Sequence, residues 1–149
     1  MLPAKLFAAL AVVFAILAGL ARLRPLPGVD VAVHSTYFVI GPILVLLLSL
    51  VTSANFAVLY YSGERVFRAR WNRKLTFLHF GLFVCFAISL LIVSALSTRE
   101  GAGAPGESMR WLIIPLLLGI FSLIASLAVF GINLTLTVVQ LIRARFARH

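Results

Sequence analysis

Four long stretches of this chain carry no charge, and they constrain its fold more than any motif does. All 17 charged side chains among the 149 residues, 13 Lys/Arg and 4 Asp/Glu, fall outside these stretches. A soluble helix or strand keeps one face polar, so charge recurs along it every few residues. Runs this long without charge, in a chain that is 62% hydrophobic, belong in lipid. The hydrocarbon core of a bilayer is about 30 Å thick and takes about 20 apolar helical residues to cross. The chain therefore reads as one all-α membrane domain, residues 1–149, with four transmembrane helices at about 3–22, 38–61, 75–96 and 111–142.

The interruptions support that division. Pro25, Pro27 and Gly28 break the helix after the first run, and Ser97–Ser108, with three glycines and Pro105, forms a linker. The first run lies between Lys5 and Arg22 and would also fit a signal peptide cleaved near Gly19-Leu20-Ala21. A retained helix is the favoured reading, because Ala11, Ala15 and Gly19 form a small-residue packing stripe.

Charge then sets the orientation. With four spans, the start of the chain, the 62–74 loop and the C-terminal tail share one side. They carry Lys5, Arg65, Arg68, Arg70, Arg73, Lys74, Arg143, Arg145 and Arg148 against the single acid Glu64. The other side has Arg22, Arg24, Arg99 and Arg110, partly offset by Asp30, Glu100 and Glu107. By the positive-inside rule both termini are cytoplasmic, and the protein is expected as a multi-pass protein of the inner, cytoplasmic membrane. A net charge of +9 would suggest nucleic acid in a soluble chain. Here the bases sit at the ends of apolar runs, where lipid phosphates account for them, and no nucleic-acid partner is expected.

The segment from Val29 to Phe38, Val-Asp-Val-Ala-Val-His-Ser-Thr-Tyr-Phe, is the most distinctive stretch, since it places hydrogen-bonding side chains at the mouth of an apolar run. Together with Val39-Ile40, and with Asn72-Arg73-Lys74-Leu75 through Leu78-His79-Phe80, it resembles the catalytic subunit I of haem–copper oxidases. The family motif reads roughly Val-His-Asp-Thr-Tyr-Phe-Val-Val-Ala-His-Phe-His. Its last two histidines bind haem iron, and its first histidine and aspartate belong to a metal and haem-propionate site. In this chain the two haem-ligand positions fall on Pro42 and Leu44, and Ser35 replaces the aspartate. The resemblance covers residues 31–83 and implies an oxidase-like helix pair entered from the outer face. It does not imply the oxidase reaction, since haem chemistry needs axial ligands that proline and leucine cannot supply.

Other candidates follow from residue type. His34 is the one candidate metal ligand, set against an ordinary role, with Ser35 and Thr36, in capping the helix. His79 lies about one turn inside the third span, so the intervening helix separates it from His34 by roughly 30 Å. The two histidines therefore cannot share one metal within the chain. Asn55 and Asn133 read as interhelical hydrogen-bonding residues, and Tyr60, Tyr61 and Trp71 as interfacial aromatics. The lone Cys85 permits no intrachain disulfide.

Helix packing is expected through small residues every four positions, Ser49, Ser53 and Ala57 on the second span and Gly81, Cys85 and Ser89 on the third. Gly119, Ser122 and Ser126 continue the pattern on the fourth. In the loop, Arg65, Arg68, Arg70, Trp71, Arg73 and Lys74 form an expected contact surface for membrane lipids or a partner. No Gly-rich phosphate loop, Ser/His/Asp set or intramembrane carboxylate pair is present in the sequence. These readings together lead to a non-catalytic membrane protein without a cofactor, packing against a membrane-protein partner or a second copy of itself. Two alternatives stand beside it: a haem-binding subunit that shares ligands with a partner, and a small transporter or metal-handling protein.

Overall fold

The computed structural model describes residues 2–23, 29–33, 36–40, 42–67, 70–97 and 108–146. Helix α1 spans Leu2–Leu23, and a short antiparallel ribbon follows, β1 (Val29–Val33) and β2 (Thr36–Ile40), with Val33 paired to Thr36 and Val29 to Ile40. Helices α2 (Pro42–Arg65), α3 (Arg73–Ser97) and α4 (Ser108–Phe146) complete the chain. All four helices are long and apolar enough to cross a membrane. Apart from the ribbon, the fold is the all-helical bundle that the uncharged runs required.

The helices assemble as two pairs, α1 on α2 and α3 on α4. The first pair is zipped along a seam with alternating steps of three and four residues, the period that keeps one stripe of a helix facing its neighbour. On α1 the buried stripe is Ala4, Phe7, Ala11, Phe14, Ala18 and Ala21, so small and large side chains alternate. On α2 it is Leu46, Ser49, Ser53, Phe56 and Tyr60. In the second pair the buried positions are Thr76, His79, Phe83, Ala87 and Ser89 on α3 and Gly119, Ser122, Ser126, Asn133 and Thr137 on α4. Gly119 lets the backbones approach closely, since a Cβ there would stand 3.1 Å from Cβ of Ser89. The seam hydroxyls are satisfied locally: Ser53 Oγ donates to the Ser49 carbonyl at 2.7 Å and Thr137 Oγ1 to that of Asn133 at 2.8 Å.

Three expectations are corrected. The second span does not begin at Phe38, because Thr36–Ile40 is a strand and the helix starts at Pro42. The physical reasons are local. Both strand segments are rich in β-branched and aromatic residues. Proline disfavours helix in the residue before it and suits the first helical turn. On α3, Gly81 and Cys85 face outward and only Ser89 of that trio is buried. On α1, Ala15 and Gly19 are likewise exposed, leaving Ala11 as the buried member of its stripe. On α2, Ser49 and Ser53 are buried and Ala57 is half-buried. Steps of four drift off a seam whose repeat averages three and a half residues, so Ala15, Gly19, Gly81 and Cys85 turn outward.

Candidate functional site

The two helix pairs are joined near the end that carries the 66–72 loop, by a cluster of rings. Phe7 of α1 sits in its middle, with ring centroids 4.9 Å from His79, 5.3 Å from Phe80 and 6.0 Å from Phe83 on α3. Phe56 of α2 meets His79 edge-on at 4.5 Å and Phe130 of α4 at 5.2 Å. Tyr60 packs on Phe130 at 5.7 Å and on Trp71 at 4.8 Å. Tilted and edge-to-face pairs at these distances are favourable beyond the area they bury. Tyr60 is 0% exposed, so its expected place as an interfacial aromatic is corrected: Trp71 and Phe130 cover it.

Inside this cluster runs a polar network. Tyr60 Oη and His79 Nδ1 lie 3.0 Å apart in a buried hydrogen bond that ties the first pair to the second. Ser126 Oγ donates to the His79 carbonyl at 3.2 Å. Asn133, fully buried on α4, donates through Nδ2 to Thr76 Oγ1 and accepts at Oδ1 from the Asn72 backbone N–H, both at 3.1 Å. Asn72 in turn caps α3, its Oδ1 accepting from the backbone N–H groups of Lys74 at 3.0 Å and Leu75 at 3.4 Å. Asn133 therefore holds the loop as well as the neighbouring helix, whereas Asn55 is exposed. Two buried polar atoms, His79 Nε2 and Trp71 Nε1, have no hydrogen-bond partner among the described residues.

Beside the cluster lies a cavity of about 840 Å³, bounded by the start of α1, the end of α2, the loop and the start of α3. Arg65, Arg70, Arg73 and Glu64 contribute its charged wall, and Leu2, Leu6 and Phe77 its apolar wall. Trp71 and Thr76 stand at the back, where the cavity meets the ring cluster. Trp71 is fixed by Gly63, whose missing side chain leaves the space the indole fills; a Cβ there would overlap the ring.

Of the loop residues expected to meet lipid or a partner, Arg65, Arg70, Trp71 and Arg73 thus share one cavity, while Lys74 is exposed outside its lining. Arg68 lies outside the described residues, as do His34 and Ser35 between the two strands. Sequence reasoning missed the Tyr60–His79 pair and the role of Phe7. Both residues fall on three-four seams that were legible, but which histidine meets which tyrosine is decided only when the pairs come together. The chain matches no family model, no curated protein and no solved structure.

Proposed function

We propose that this chain is a non-catalytic integral membrane protein that serves as an accessory or structural subunit, docking through its cytoplasmic end on a membrane-protein partner. The observation that carries this reading is the length of α4. Its 39 residues extend about 58 Å at 1.5 Å per residue, whereas the 25 residues of α3 extend about 37 Å. The contact of Asn133 with Thr76 and Asn72 marks where α3 begins, so residues 134–146 run on past it by about 20 Å. Along this extension Leu134, Leu136, Val138, Val139 and Ile142 are all exposed. A bilayer with its headgroups measures about 40–45 Å, so lipid covers α3 but not the whole of α4. Apolar side chains beyond the headgroups need protein to cover them.

The nine bases on this side support a cytoplasmic location for it by the positive-inside rule, at the inner membrane. The resemblance to oxidase subunit I, with Pro42 and Leu44 where the haem ligands would stand, favours a respiratory complex as the partner and a role without a reaction of its own.

A photo-crosslinking residue at Val138 is the test. In native membranes it should give one discrete protein adduct, either to a partner subunit or to a second copy. Adducts to lipid alone would overturn the docking reading. The haem-binding alternative has a separate check, since His79 is enclosed by Phe7, Phe56 and Phe130. A stoichiometric Soret band that disappears in His79→Ala would reinstate it.

A further inference from the structure

We infer that the cavity at the loop end is a binding site for one anionic membrane phospholipid, with its phosphate held by Arg65, Arg70 and Arg73 and its acyl region laid against Leu2, Leu6 and Phe77. This goes beyond the docking reading and does not depend on it.

Four observations converge on this assignment. The three guanidinium groups come from three different elements, the end of α2, the loop and the start of α3, and they meet one acid, Glu64, leaving the wall net positive. Arginine presents a planar fork of donors that matches phosphate oxygens in pairs, which lysine does not. Trp71 lines the same cavity, and its indole N–H, buried beside Gly63, has no partner among the described residues. An orphaned donor of that kind is costly unless an acceptor arrives. Finally, about 840 Å³ is far more than a phosphate ion fills, and it lies in the range that accommodates an amphiphile.

The position of the cavity selects lipid over a free anion. It lies at the ends of three membrane helices, beside Lys5 and Lys74, where headgroups are found. Its apolar wall, with Leu2 and Phe77 each half exposed, would have no use for inorganic phosphate but suits the first carbons of an acyl chain.

The experiment is native mass spectrometry of the full chain in mild detergent, titrated with phosphatidylglycerol, with phosphatidylcholine, or with phosphatidylglycerol in excess inorganic phosphate. One retained phosphatidylglycerol per chain is expected, with phosphatidylcholine held at least roughly tenfold more weakly. R70Q/R73Q should lose at least roughly tenfold in retention, while R143Q/R145Q, with the same charge removed outside the cavity, should retain lipid as the parent does. R70K/R73K keeps the charge and the topology, so it decides the matter if the glutamine pair fails to insert. It should bind more weakly than the parent, and parent-like binding would overturn recognition by the arginine fork. Equal retention of the two lipids, or equal loss in both glutamine pairs, would overturn the site. Complete displacement by inorganic phosphate would assign the cavity to a free anion and overturn the lipid.

Discussion

Phe7→Ala tests the feature on which the whole bundle depends. Phe7 is 0% exposed and its ring touches Phe56 and Tyr60 within its own pair as well as His79, Phe80 and Phe83 across the boundary. In water, losing such a ring removes both transfer energy and packing. In a bilayer the separated helices remain in apolar surroundings, so the transfer part largely vanishes and packing remains. Truncation to alanine removes about 100 Å³, which at about 24 cal/mol per Å³ of cavity costs about 2.4 kcal/mol. The lost ring pairs add to this and partial collapse of the site subtracts, so we expect 2–3 kcal/mol, roughly. The assay is reversible unfolding in mild detergent by added dodecyl sulfate, with spin labels on α1 and α4 reporting the separation of the pairs. Phe14→Ala, buried within the α1–α2 seam, should destabilise without widening that distance. Phe121→Ala, whose ring is 66% exposed, should change neither. A Phe7→Ala cost indistinguishable from that of Phe121→Ala would refute the account of how the pairs are joined.

Three further outcomes are expected. Tyr60→Phe removes the hydroxyl at His79 Nδ1 and should cost about 0.6 kcal/mol, at most about 1.7, in the same unfolding assay. In a His79→Phe background the same change should cost less, and a double-mutant cycle measures the difference. Gly63→Ala should push the Trp71 indole out of its seat; in a Trp111→Phe background, which leaves one of the two tryptophans, its emission should shift to the red. Gly119→Leu should force α4 away from Ser89 and Phe86 on α3 and destabilise by about 1–3 kcal/mol, whereas Gly131→Leu, with open space around its Cβ, should be tolerated in the same assay.

Much of this architecture was legible because charge is so unforgiving in lipid. The four helices follow from where the charges are absent, and three of their starts lie within a few residues of expectation. The start of α2 was not legible, because Thr36–Ile40 is as apolar as the helix behind it, and a short apolar run does not show its period. The packing faces were readable in principle. The chain writes Ala4, Phe7, Ala11, Phe14, Ala18 on α1 and Leu46, Ser49, Ser53, Phe56, Tyr60 on α2, both in steps of three and four. A four-residue spacing of small residues says nothing of the phenylalanines that interleave with them. The candidate site was legible only as a cluster of bases with Trp71. That Arg65, Arg70 and Arg73 line one space depends on how α1 is seated against α3, and no pattern local to the loop encodes that.

The asymmetry of the molecule bears on where its function resides. The ring cluster, the Tyr60–His79 bond, the Asn133 network, the cavity and the overlong part of α4 all lie toward the loop end. Lysine and arginine are concentrated there as well. In the reading proposed above, that charged end is the one that meets lipid headgroups and the partner. By residue type His34 is a candidate metal ligand, but the strands that flank it belong to the opposite end. If that end carried the function, substitutions at His34 would outweigh those at Arg70 and Arg73 in restoring or abolishing assembly. The docking reading proposed above expects the reverse order: R70Q/R73Q should weaken assembly with the proposed partner, measured by co-purification, while His34→Ala leaves it intact.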